Sequence, residues 1–453
     1  MADYTMEDLR YWNEKIEPAV AQMGLSCYPQ EFEICSYEDM LSYEAYMGMP
    51  SRYPHWSFGK AYERTRTFYK YNLTGLPYEM VINSNPCLAY LMKDNTLLLQ
   101  ILTMAHVYGH NDFFRNNRLF KQGTRAEYTL EMFKSNARRI HEYITDPSIG
   151  YARVEKTLDA AHSLRLQTYR IIGQKILSDE EIKKRVIERH QFKPSDHPLL
   201  DEKVPTNPVD LNKIPLEPEE DLLLFLYKYA PLSEWEKDIL RIVREESLYF
   251  LPQIETKIMN EGWASYWHYK ILNHLNLPQD LHLEFLKRHN QVVRPVEGGL
   301  NPYHIGFKIF EELDRENAGD PGFIFSVREQ ERDSSFIRRY LSFKLCKELK
   351  LFEYGKRTRD IFIVFEVADE QGWKKIRNAL ANSVGIQAVP NIKVMEVKGK
   401  NHVLVLEHEF EGRELQLEYA HQTLKHIAHL WGSRVQLRTM VRNSYQILET
   451  DNN

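Results

Sequence analysis

A chain of 453 residues exceeds what one simple core organises, so two or three domains are expected. Its hydrophobic fraction of 43% and charged fraction of 27% are ordinary for a globular protein, while a net charge of −5 and a pI near 6.4 argue against nucleic acid or an anionic membrane surface as partner. Four scattered cysteines (Cys27, Cys35, Cys87, Cys346) lack C-x-x-C spacing, which argues against a zinc knuckle or a disulfide scaffold. The start of the chain has no basic segment followed by an apolar core, and no apolar run reaches the roughly 20 residues that span a bilayer. A reduced, cytoplasmic protein without membrane insertion is the expectation.

The first ~185 residues read as mainly helical. Residues 4–24 are amphipathic, and a second helix is expected from Ser36, with Glu38 and Asp39 in its first turn. A loop over 51–60 leads to a short helix over 61–71. Y-E-M-V-I-N-S-N-P, residues 78–86, predicts a short strand and a turn. Cys87 after Pro86 reads as a helix start, where a thiol is either a nucleophile or buried and inert. A long helix spans 97–120, and further helices are expected over 125–145 and 151–175.

Residues 191–220 hold six prolines and little periodicity, so they read as a linker or an extended arm. Helical patterning resumes from Leu222, with at least two helices over 233–275 and Leu251-Pro252 as the start of the second. Residues 291–304 read as a Gly/Pro-rich loop, and more helices follow to about 350. The last ninety residues differ: strands over 361–367 and 391–397, a helix over 371–383, a hairpin around Glu411-Gly412, a helix over 419–431 and a final strand. That order predicts a small α+β domain. The expected organisation is a helical domain over 1–190, the Pro-rich segment 191–220, a helical segment over 221–355 completing the core, and an α+β domain over 356–453.

Three helical segments carry candidate chemistry. In T-M-A-H-V-Y-G-H-N-D-F-F, residues 103–114, His106 and His110 stand one turn apart and share a face. In M-N-E-G-W-A-S-Y-W-H, residues 259–268, Glu261 and His268 share a face of an otherwise apolar helix. A buried carboxylate needs a partner, which a metal ion or an arginine would supply. In V-E-K-T-L-D-A-A-H, residues 154–162, Glu155, Asp159 and His162 form one stripe, either a metal-binding face or a solvated acidic one. Together they point to one divalent metal centre. Two histidines and a glutamate suit zinc, and added carboxylates would favour manganese or iron. Two further segments are open. His304 in the turn-rich 298–306 either faces a site or sits in a structural turn, and the histidines of 421–429 read as a helix surface.

The segments H-V-Y-G-H-N-D-F-F (106–114), N-E-G-W-A-S-Y-W-H (260–268) and G-L-N-P-Y-H-I-G (299–306) resemble the stage V sporulation protein R family over nearly the whole chain. That resemblance implies a link to spore cortex formation, in a family that also occurs in bacteria that make no spores. A more distant resemblance joins E-G-W-A (261–264) and the histidine helix to gluzincin metallopeptidases. It implies a zincin-like helical core with a short strand region, and metal ligands at His106, His110 and Glu261; the stripe over 154–162 would add His162 as a further ligand. The general-base position after the first histidine is Val107, so Glu155, Asp159 or His268 would have to serve in that role.

The expectation is thus a metal-dependent hydrolase of an amide or peptide-like bond. The alternatives are a regulatory scaffold with a structural His/Glu cluster and a carboxylate-rich redox metal protein. A protein partner would dock through 356–453.

Overall fold

The computed structural model describes residues 4–70, 78–190, 210–296, 300–358, 361–367, 369 and 372–451. Most of the segment expected to be a linker, 191–209, lies outside the described residues, as does 297–299 of the expected loop. The chain is mainly helical and divides into two compact units. The first takes Met1–Glu142 and Leu248–Ala388, the second Tyr143–Ser247 and Val389–Asn453.

The elements run in chain order as α1 (Met6–Gln22), β1 (Gln30–Cys35), α2 (Tyr37–Ala45), α3 (Trp56–Lys70), β2 (Glu79–Ile82), β3 (Cys87–Met92), α4 (Leu97–Asn116), α5 (Arg118–Gly123) and α6 (Thr129–Thr145). Next come α7 (Tyr151–Leu164), α8 (Asp179–His190), α9 (Leu222–Tyr229), α10 (Glu234–Glu255), α11 (Lys257–His274), α12 (Gln279–Val292), α13 (Pro302–Glu316), α14 (Phe323–Gln330), α15 (Asp333–Tyr340) and α16 (Phe343–Glu348). The chain ends with β4 (Phe352–Thr358), β5 (Ile361–Val367), α17 (Gly372–Asn382), β6 (Ile392–Lys398), β7 (Val403–His408), α18 (Leu417–Trp431), β8 (Val435–Val441) and β9 (Ser444–Thr450). Among the described residues no helix is long and apolar enough to cross a membrane.

Helix α4 is the spine of the first unit. Thr96 caps it by accepting from the Leu99 amide, and every residue from Leu98 to Phe114 is buried. A helix buried on all sides must be surrounded, and α4 packs against α1, α11, α12 and α14. The closest crossings fall at glycines. A Cβ on Gly109 would lie 2.6 Å from Ala264 Cα, and one on Gly262 would lie 2.3 Å from Gly306 Cα. Only glycine lets α4, α11 and α13 approach this closely.

Beside these helices lies a three-stranded sheet of order β1-β3-β2, parallel between β1 and β3 and antiparallel between β3 and β2. Strand alternation sorts its side chains. Leu88, Tyr90, Met92 and Ile82 join Met40 and Leu41 in one cluster, while Cys87 and Leu91 join the helical core of α4 and α11. Glu79 pairs with Leu91 and so stands on the helical side of edge strand β2.

The second unit carries the four-stranded sheet β6-β7-β8-β9, with α18 as the crossover between the parallel strands β7 and β8. Helix α7 packs on α18.

Several expectations are corrected. Cys87 opens a strand rather than a helix, because C-L-A-Y-L-M is buried throughout and periodicity cannot separate a buried strand from a buried helix. Its thiol donates to the Ile82 carbonyl and burial pushes its pKa up, which is the inert reading. Helix α3 starts at Trp56, inside the expected loop, and α7 ends at Leu164 rather than near 175. Pro252 lies within α10 instead of starting a helix, and α11 begins at Lys257. The turn-rich G-L-N-P-Y-H-I-G leads into a helix, because Asn301 caps α13 and Pro302 occupies its first turn. No hairpin forms around Gly412: β7 pairs with β6 and β8, and Leu417 starts α18. The strand at 361–367 pairs with β4 in a separate two-stranded sheet, so the C-terminal sheet is built from β6 to β9 alone.

Candidate metal centre

Spacing of four on α4 brings His106 and His110 to one face, their rings 4.6 Å apart. The glycine crossing at Gly109 lets α11 deliver Glu261 to that face. Glu261 Oε2 lies 3.5 Å from His110 Nε2 and 3.8 Å from His106 Nε2. From the other side, Glu79 on β2 places Oε1 3.9 Å from His106 Nε2. Glu79, His106 and His110 each offer a ligand atom within 4.8 Å of the others, a Glu/His/His group that could hold a metal ion.

The surrounding residues orient these donors. His110 Nδ1 meets Asn260 Oδ1 at 2.9 Å, which turns Nε2 toward Glu261. His106 Nδ1 meets His268 Nδ1 at 3.0 Å, and His268 Nε2 meets His289 Nδ1 at 2.8 Å. The Tyr303 ring stacks on His106, and its hydroxyl is in hydrogen-bonding range of the Glu261 carboxylate.

Electrostatics favour the ligand forms of His110 and Glu261. Burial, assisted by the neighbouring His106, pushes His110 down to about 4, so its imidazole is neutral. Burial, with His106 and His289 nearby, holds His268 well below the usual histidine value, and burial brings His289 down to about 4. Burial alone would raise Glu261, but the two histidines outweigh it and hold the carboxyl below its usual value. Glu79 is pushed up, first by burial and then by Glu261, against the pull of His106. The Glu261 charge and burial raise the Tyr303 phenol well above its ordinary range.

A metal ion fits this donor set. Glu261 Oε2 is buried and has no hydrogen-bond partner, an expensive state for a carboxylate oxygen. Ligands bound at about 2.1 Å on a tetrahedral ion stand about 3.4 Å apart, close to the observed spacings. The carboxylate side is the less enclosed one: the side chains of Glu79 and Glu261 retain 16% and 19% exposure, against 5% and 8% for His106 and His110.

The structure therefore gathers His106, His110, Glu261 and His268, with His268 one ring removed from the carboxylates. Glu155, Asp159 and His162 belong to α7 of the second unit, where Tyr151 donates to Glu155 and Asp159 neighbours His426. The carboxylate that joins Glu261 beside the histidines is Glu79, on the strand legible at 78–83 but unremarked as an acid. Asn260 and Tyr303 were visible only as members of the motifs N-E-G-W and N-P-Y-H. His289 carried no signal, being a lone histidine on α12. His304 turns away and meets the Val293 carbonyl, a structural role. Val107 is fully buried in the core.

Comparison with known proteins bears on this geometry. Residues 3–389, which hold every residue of the centre, match the family described as SpoVR like protein, and residues 390–442 match the SpoVR-like C-terminal domain. The uncharacterized protein YcgB of Escherichia coli (strain K12) is 36% identical over 490 residues, covering 99% of this chain and 95% of the relative. No solved structure matches. The first match ends within two residues of the break between the compact units at 388 and 389, and the matches run almost end to end. A likeness of that extent, over both units and the whole His/Glu cluster, makes the chain a member of the SpoVR family.

Proposed function

We propose that the protein is a cytoplasmic metal-dependent hydrolase of an amide or peptide-like bond, with zinc held by His106, His110 and Glu261. The observation that carries this reading is the orphaned Glu261 Oε2 beside the Nε2 atoms of two buried histidines and a second, partly exposed carboxylate. A purely structural site would be closed, whereas a catalytic one keeps a side open.

A zinc ion there supplies a Lewis acid and lowers the pKa of a water. Glu79 takes the part that Val107 cannot: its carboxylate faces the same space from the edge of the sheet and accepts the proton of the attacking water. Tyr303, stacked on His106 and within reach of Glu261, would turn its single O–H from that carboxylate to a developing oxyanion. Edge strand β2 gives an extended substrate backbone a ladder to pair with, so a peptide-like chain would cross directly beside Glu79. This is a zincin-like arrangement with the base moved from the helix to the strand. The family resemblance supports a substrate in cell-wall or spore-cortex formation, and residues 356–453 are proposed to bind a protein partner.

The test is metal content by mass spectrometry on tag-free protein, beside His106→Ala, Glu261→Ala and Glu79→Gln. Near-stoichiometric zinc is expected in the wild type, absent from the first two variants with their fold retained. Glu79→Gln should keep the metal and lose hydrolysis of a peptide library. A wild type that neither carries nor takes up metal refutes the reading.

A further inference from the structure

Three buried imidazoles form a chain leading out of the pocket. His106 Nδ1 and His268 Nδ1 are 3.0 Å apart, and His268 Nε2 and His289 Nδ1 are 2.8 Å apart, with exposures of 4%, 0% and 4% along the chain. A neutral imidazole donates from one nitrogen and accepts at the other. The direction of one bond therefore fixes the next. With its proton on Nδ1, His106 donates to His268, His268 must donate from Nε2 to His289, and His289 carries its proton on Nε2. With the proton on Nε2, every bond reverses and His106 points an N–H at Glu79 and Glu261.

We propose that His268 and His289 are positioning residues that hold His106 as a Nδ1–H tautomer, presenting the Nε2 lone pair as a metal ligand. This rests on the metal reading above. A metal-ligating histidine needs an acceptor for its other nitrogen, usually a carboxylate or a carbonyl. Here the acceptor is another imidazole whose own proton must be placed by a third.

The arrangement has a consequence for uptake. In the metal-free protein the two carboxylates favour the Nε2–H form of His106, so the chain stands in its reversed register. Binding at Nε2 displaces that proton to a pocket carboxylate or water. The proton on His268 Nδ1 passes to His106, the proton on His289 Nδ1 passes to His268 Nε2, and His289 takes one proton from water at Nε2. One proton leaves at the pocket and one enters at the far end, and each ring stays neutral. The three histidines therefore change register together, and a fault at His289 is felt at the metal.

The experiment pairs zinc titrations with ¹⁵N spectra of protein labelled at histidine. In zinc-loaded wild type, Nδ1 of His106 and Nε2 of both His268 and His289 should carry protons. In metal-free protein all three should reverse. His268→Leu removes the acceptor and should weaken zinc binding about 10–100-fold. His268→Asn places Oδ1 where Nδ1 stood and should restore affinity to within a few-fold of wild type. A folded Leu variant with wild-type affinity overturns the proposal, as does equal loss in Asn and Leu, or a loaded wild type with the opposite tautomers. If His268→Leu fails to fold, the Asn variant and the wild-type spectra still decide. A wild type that takes up no zinc overturns the metal reading and this role together. Zinc bound indifferently to position 268 overturns this role alone.

Discussion

Replacing Gly262 by alanine puts a methyl 2.3 Å from the Cα and carbonyl carbon of Gly306 and 2.8 Å from the Phe307 nitrogen. Carbon atoms at ordinary contact stand about 3.5–4.0 Å apart, so α11 and α13 must separate by more than an ångström. Backbone lies on both sides, and no rotamer change relieves it. Overpacking costs about 1–3 kcal/mol, occasionally more, and is offset by the ~1 kcal/mol that alanine gains over glycine inside a helix. A net loss of up to about 2 kcal/mol follows for Gly262→Ala, at most a few degrees of Tm in the first unit. Gly59, inside α3, is the control, because a Cβ there meets nothing within 4 Å. Gly59→Ala should raise stability by about 0.5–1 kcal/mol. Urea unfolding and calorimetry of both variants read the difference, and zinc titration of Gly262→Ala should show weakened binding as Glu261 shifts. If the two substitutions move stability in the same direction, the close-crossing argument fails.

Asp333 caps α11 from outside, accepting the amides of Ile258 and Met259 at 2.8 and 2.9 Å. Asp333→Ala leaves two buried donors unpaired and should cost about 2–5 kcal/mol in urea unfolding. Burial pushes the Asp333 carboxyl up to about 8, above its unfolded value. Its contribution is then complete below about pH 4 and shrinks as pH rises toward 8. Asp333→Asn should flatten the pH dependence of stability across that window, and an unchanged slope would contradict the assignment. Asp112, inaccessible to solvent, accepts from Trp263 Nε1 and the Ser26 amide and pairs with Arg328 at 3.3 Å. Asp112→Ala strands the buried guanidinium and should cost about 3–5 kcal/mol; a loss under 1 kcal/mol would refute it. Burial raises the pKa of all four thiols, so the native protein should react slowly with a disulfide reagent, and all four should titrate only on unfolding.

What the sequence disclosed about the centre was what local spacing can carry. His106 and His110 declare a shared face through a period of four, and Glu261 announces a buried charge by its apolar surroundings. Glu79 is different in kind. It meets the histidines only because β2 pairs with β3 in the register that sets Glu79 against Leu91, and register between strands is not written in either strand alone. Strand β1 was missed for the same reason, since its parallel partner lies 57 residues on, from Gln30 to Cys87. The stripe Glu155, Asp159 and His162 shows the converse limit. Spacing identifies a face, not its neighbour: α7 packs on α18, where Asp159 stands near His426. The helix start at Pro302 was masked by turn formers that turned out to be its cap.

The first unit is built from two separate stretches of chain, with 105 residues of the second unit, Tyr143–Ser247, synthesised between them. Glu79, His106 and His110 come from the early stretch; Glu261, His268, His289 and Tyr303 come from the late one. A ribosome that has just released residue 142 has made a histidine pair without Glu261 or its supporting imidazoles, and two exposed histidines one turn apart hold metal poorly. The full proposed donor set, with its supporting imidazoles and Tyr303, exists only after the late helices have closed on α4. For the metal centre proposed above, discontinuity in the chain would act as a timing device: the donor set is complete only once the late stretch has been made.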